Sequence, residues 1–182
     1  MQSHSARVRF LCQSALIAAL YTALTFAVPV LSFGMMQLRI SEAMTVLPIL
    51  FPPSILGLTV GCVLSNLLGF FSGANPIGLI DALVGSLATL LAGLCGAAVG
   101  KLIPAEKHPH RRLLLGLAFP VLFNAVIVGA ELTTLFLDTF WLNFFWVGLG
   151  ELAVCYVLGY PLGLGLQRGN VYRRLFHVEN KE

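Results

Sequence analysis

Five of the eight acidic side chains lie inside or at the edge of long apolar runs: Glu42, Asp81, Glu131, Asp138 and Glu151. Arg39 is the one basic residue among them. An ionised carboxylate at membrane depth is expensive, and it is retained where it pairs, relays protons or holds a ligand. Asn66 and Asn124 occupy the same runs and add neutral donors and acceptors. An excess of carboxylate over guanidinium suits a substrate that is cationic or rich in N–H donors.

The elements that position these residues follow from composition. Of 182 residues, 58% are hydrophobic and 10% are charged, whereas a soluble domain carries about 25% charged residues. A soluble core of this length could not hide so much apolar surface, so the chain reads as an all-α integral membrane protein. The net charge of +3 comes from short basic clusters between apolar runs, which gives no footprint for nucleic acid. Cys12, Cys62, Cys95 and Cys155 show no CxxC spacing and read as reduced thiols. All four histidines lie outside the apolar runs, and no GxSxG elbow or metal motif is present. These features argue against an enzyme, a metal site or a bound cofactor.

Six apolar segments are expected as transmembrane helices of a single domain spanning residues 1–182, at roughly 10–30, 40–51, 54–71, 77–102, 113–137 and 141–166. Arg7 and Arg9 precede the first run, as in a signal peptide. That run is long for one and lacks a small-x-small cleavage site, so a retained helix is expected. The second segment is short, because Pro52-Pro53 ends it. Charge requires it to cross all the same. With Arg7, Arg9 and the 101–112 cluster all in the cytoplasm, an even number of crossings must separate them. The sixth helix then returns Arg168, Arg173, Arg174 and Lys181 to that side. Both termini are expected in the cytoplasm of a multi-pass protein of the bacterial cell membrane. The chain contains no GxxxxGK[ST] loop, so any ATPase driving transport is another chain.

This topology converts position into depth at about 1.5 Å per residue. Asp81 lies near the outer end of the fourth helix, Asn66 in the outer part of the third, and Arg39 and Glu42 open the second. Asn124, Glu131 and Asp138 are spaced by seven, an expected acidic stripe descending the fifth helix. Glu151 lies near the midplane and shares a face with Cys155. The expected site is an outward-facing polar cavity, with Glu131, Glu151, Asn124, Asn66, Glu42, Asp81, Arg39 and Trp141 as substrate-binding candidates. Each has a plainer reading. Arg39 and Glu42, three apart, suit an ion pair. Asp81 suits the dipole of a helix start, Asp138 a solvated rim, and Trp141 an interfacial anchor. Ala15, Ala19 and Ala23 form a small-residue strip on the first helix, suited to internal packing or to docking a second membrane protein.

The stretch Leu38-Arg-Ile-Ser-Glu-Ala-Met-Thr-Val-Leu-Pro48 resembles the QueT family of queuosine-precursor transporters. The resemblance continues at Gly61-Cys-Val-Leu-Ser-Asn66, from Asp81 to Ala92, at Asn124-Ala-Val-Ile-Val-Gly-Ala-Glu131 and from Gly150 to Gly159. It implies a six-helix substrate-binding S component of an energy-coupling factor (ECF) transporter. Its partners would be a transmembrane coupling protein and two ATPase subunits. The Ala15, Ala19, Ala23 strip matches the family's contact for the coupling protein. The implied cargo is queuine or an aminomethyl-deazaguanine, whose adjacent N–H donors a carboxylate accepts in bidentate fashion. On this reading Glu151 or Glu131 takes the guanine-like edge, Asn66 and Asn124 assist, and Glu42 or Asp81 meets the amine. The alternatives are a stand-alone proton- or ion-coupled secondary transporter and an S component for another vitamin-like molecule.

Overall fold

The computed structural model describes residues 4–34 and 36–168. Among these residues the structure is helical, with no strand. Six helices order the chain: α1 (His4–Ala27), α2 (Ile40–Leu50), α3 (Ser54–Phe71), α4 (Gly78–Leu102), α5 (Pro109–Phe136) and α6 (Phe140–Gln167). All but α2 are long and apolar enough to cross a membrane. α1 begins earlier than its apolar run because Arg7 and Arg9 extend the helix into an exposed polar turn. It stops short of Pro29, which starts a separate turn at Pro29–Ser32.

α2 winds as a 3-10 helix over Ile40–Val46 and closes with one α-turn, Leu47–Leu50. The tighter winding rises about 2.0 Å per residue, so this short segment extends about 20 Å. It is buried along its length. Its neighbours carry glycine where it passes. A Cβ on Gly100 of α4 would overlap the Ile49 carbonyl, and one on Gly159 of α6 would stand 3.1 Å from the Ala43 carbonyl. Arg112 of α5 donates from Nη2 to the Ile49 carbonyl at 2.6 Å and so caps α2. The small residues Ala92, Gly96 and Gly100 of α4 thus pack internally, where close backbone approach is needed.

The α1–α3 contact is equally close. Gly57 and Gly61 of α3 face Ser14, Ile17, Ala18 and Tyr21 of α1. These contacts set one end of the bundle. Gly57 faces Ser14, Gly100 faces Ile49, and Gly163 faces Val46 and Leu113. The start of α1, the α4–α5 connection and the end of α6 therefore share an end, which carries Arg7, Arg9, Lys101, Lys107, Arg111, Arg112 and Arg168. Arg173, Arg174 and Lys181 lie outside the described residues. Arg39 and Asp81 mark the opposite end.

α5 and α6 each contain a widened π-turn, at Asn124–Val128 and Val154–Gly159. Pro120 precedes the first and lacks an amide to donate. Asn124 donates its side-chain amide to the Pro120 carbonyl at 3.1 Å. Such turns concentrate at functional sites. Here the first begins at Asn124, and the second contains Cys155 and follows Glu151 by three residues.

Candidate functional site

The end opposite the basic cluster holds a polar interior. Every charged or amide side chain expected there from the sequence, apart from Asp138, is buried: Arg39, Glu42, Asn66, Asp81, Asn124, Glu131 and Glu151. They come from five of the six helices and converge because each apolar helix turns its few polar side chains away from lipid.

Two networks result. In the first, Arg39 donates from Nη2 to Asp81 Oδ2 at 2.5 Å and from Nε to the Ser32 carbonyl at 3.2 Å. Its guanidinium lies 5.8 Å from the Phe33 ring centroid. Asn75 donates to the same Asp81 oxygen at 3.1 Å and to Asn66 Oδ1 at 3.3 Å, while Asn66 donates to the Asp81 carbonyl at 3.2 Å. In the second, the Tyr21 hydroxyl donates to Glu42 Oε1. Thr25 and Ser41 share a hydroxyl hydrogen bond at 2.7 Å beside it. Cys155 Sγ lies 3.7 Å from Glu151 Oε2 and 3.9 Å from the Glu42 carbonyl. The i, i+4 relation of Glu151 and Cys155 is therefore a contact. Glu151 and Glu42 lie within electrostatic reach of each other and of Arg39.

The suggested ion pair between Arg39 and Glu42 does not form. Arg39 precedes the first turn of α2 in extended conformation, φ −93° and ψ 110°. Its side chain reaches α4 instead. Asp81 does lie in the first turn of α4, as expected, and pairs there with Arg39.

Glu131 differs from the other acids. It is 6% exposed, yet neither of its carboxylate oxygens has a hydrogen-bond partner. Asp81 and Arg39 are its charged neighbours. One oxygen each of Glu42 and Asp81 is also unpartnered, but both side chains are anchored through the other oxygen.

Above this interior lies a cavity of about 300 Å³ lined by Phe33, Gln37, Asn75, Leu132, Asn143 and Asp138, among others. That volume is at the lower end of the range for small-molecule sites. None of the eight residues expected to bind substrate lines it; Leu132 in its wall is the chain neighbour of Glu131, and Asn75 in its wall hydrogen-bonds to Asp81. Asp138 is half-buried at the rim, where it accepts from the Thr139 amide at 2.6 Å. Trp141 is 62% exposed and packs among Phe140, Phe144 and Phe145 on the outer face of α6. Rings that do line the cavity are Phe33 and Phe136. Ala15, Ala19 and Ala23 all face outward from α1, away from its packing with α3.

Sequence reasoning missed Tyr21, Gln37, Asn75 and Asn143. Tyr21 is a lone hydroxyl in an apolar run, and Asn75 reads as part of a Ser-Gly-Ala-Asn-Pro turn. The available signal was that Asn75 sits six residues before Asp81 in a connection too short to leave the site.

A multi-helix bundle of membrane-spanning length, with partly unpaired buried carboxylates and a mainly apolar cavity that presents a few amides, has the features of a membrane protein with a small-molecule site. Residues 11–168 match the family model described as QueT transporter, so the chain belongs to the QueT transporter family. The "Queuosine precursor transporter QueT" of Lactococcus lactis subsp. cremoris (strain MG1363) is 34% identical over 79 residues, a match covering 42% of this chain and 43% of that protein. The chain thus spans under half the length of this curated relative in the match. No solved structure matches. The family membership agrees with the resemblance seen in the sequence and makes this a multi-pass membrane protein of a transporter family.

Proposed function

We propose that the chain is the substrate-binding S component of an ATP-driven ECF importer and that it captures a queuosine precursor, queuine or an aminomethyl-deazaguanine. The observation that carries this reading is Glu131, a buried carboxylate with both oxygens unpartnered, adjacent in the chain to Leu132 in the wall of a cavity of ligand size. Leaving such a group unmatched is costly, and a ligand with adjacent N–H donors satisfies both oxygens at once. Glu131 takes the guanine-like edge. The inner acids Glu151 and Glu42 meet the protonated amine, with Asn124 and Asn66 as neutral partners. Phe33 or Phe136 stacks on the heterocycle, and Asp81 and Arg39 hold the cavity wall.

The rest of the assembly follows from the same reading. The cavity end faces outward, and the basic end, with both termini, lies in the cytoplasm of a bacterial cell. Residues 1–182 act as one transmembrane domain. The outward-facing Ala15, Ala19 and Ala23 receive a coupling protein, which joins the chain to two ATPase subunits.

The test is thermal stabilisation of the purified protein against deazaguanines, purines and vitamins, read through binding linkage, together with co-purification from cells expressing the ATPase module. Stabilisation by a deazaguanine and recovery of ATPase subunits support the reading. Stabilisation by a different vitamin alone would replace the cargo. Uptake by this chain alone, driven by an ion gradient, would favour a secondary transporter.

A further inference from the structure

Three carboxamides line the cavity: Gln37, Asn75 and Asn143. Two have committed their amide nitrogens. Asn75 Nδ2 serves Asp81 and Asn66, and Asn143 Nδ2 donates to Thr133 Oγ1 at 3.1 Å. Gln37 is 5% exposed and lines the cavity, and among the described residues its carboxamide forms no hydrogen bond, the residue's one bond being from its backbone amide. Neither carboxamide atom is among the enclosed, unpartnered polar atoms of the interior, so the group opens onto the cavity, where a bound ligand can meet it.

The backbone at Gln37 points the same way. Its φ of +44° lies in the left-handed region, which a residue such as Gln seldom adopts. Packing imposes it. The Gln37 amide donates to the Gly34 carbonyl at 2.9 Å, and α6 presses on the segment at Gly150, where any Cβ would overlap the Met36 carbonyl. Strain of this kind, held by its surroundings, concentrates at ligand-binding positions.

We propose that Gln37 is a ligand-binding residue whose free amide N–H donates to a carbonyl oxygen on the substrate's heterocycle. The inference rests on the deazaguanine reading above. A guanine-like lactam places its carbonyl beside the ring N–H, so a carboxylate and an amide donor side by side complement the two groups. Glu131 accepts from the donors while Gln37 donates to the oxygen.

The experiment titrates the full-length protein in detergent with 7-aminomethyl-7-deazaguanine by calorimetry and follows unliganded melting separately. Gln37→Glu keeps the shape but offers no donor, and its affinity should fall at least about tenfold. Gln37→Gly removes the side chain and relieves the left-handed strain. It should melt at or above the wild-type temperature while losing affinity to a similar degree. Wild-type affinity in both variants, with binding weakened in Glu131→Gln, would overturn the role of Gln37 and leave the cargo reading intact. A lower melting temperature for Gln37→Gly together with unchanged affinity for Gln37→Glu would make Gln37 structural and also overturn it. Absence of any deazaguanine binding by the wild type would overturn the cargo reading and this inference together.

Discussion

Arg39 and Asp81 form an ion pair at 2.5 Å with both side chains buried, 3% and 0% exposed. The pair ties the extended residue ahead of α2 to the first turn of α4. It neutralises one carboxylate, and among the described residues the other buried acids have no ion-pair partner. Removing one partner of a buried pair strands the other charge, at a cost of about 3–5 kcal/mol. Arg39→Met should therefore lower the melting temperature of the purified protein sharply. Arg39→Met combined with Asp81→Leu should recover much of the loss, because the stranded charge is gone. A double variant as unstable as the single one would show that Arg39 acts through Ser32 and Phe33 rather than through Asp81.

Glu131 should behave in the opposite way. With no hydrogen bond to lose, Glu131→Gln should leave the unliganded melting temperature unchanged or raised. Its affinity for a deazaguanine should fall by about 10- to 100-fold, the value of one or two charge-assisted hydrogen bonds. Titration and melting on the same preparation separate the two effects. Unchanged affinity would remove Glu131 from the site.

Gly61 sets the approach of α3 to α1. A Cβ there would stand 2.8 Å from Tyr21 Cβ and 3.0 Å from the Ala18 carbonyl. Gly61→Val must push the helices apart, at a cost of about 1–3 kcal/mol. It also disturbs Tyr21, and with it the hydrogen bond to Glu42. Loss of thermal stability together with weakened ligand binding is expected. A variant that melts like wild type would show that α1 shifts freely.

Much of the fold was legible because lipid imposes a simple rule: long apolar runs become helices, and prolines and short polar turns separate them. Burial was legible for the same reason: Glu131, Glu151, Asn124 and Asn66, polar residues within apolar runs, lie in the interior of the bundle. Pairing was not. Whether Arg39 reaches Glu42 or Asp81 depends on the extended backbone ahead of α2 and its 3-10 winding, which hydropathy does not encode. Trp141 carried the expected type and depth but faces outward. The direction of one side chain about a helix axis depends on packing with α5. Gln37 was invisible because its significance lies in a left-handed backbone angle.

The outward strip on α1 separates association from folding. Ala15, Ala19 and Ala23 are exposed, while Ala18 and Tyr21 on the opposite face pack against α3. A larger side chain on the strip meets only lipid in the isolated chain, and Leu is a good helix former. Ala15→Leu with Ala19→Leu should therefore keep the melting temperature within about 0.5 kcal/mol of wild-type stability and retain ligand affinity. The same variant should fail to co-purify with the transmembrane coupling protein, because two bulky residues hold the facing helices apart where close backbone contact is required. Ala18→Leu is the control: it should destabilise the chain itself. Full recovery of the coupling protein by the double variant would place the docking surface elsewhere on the bundle.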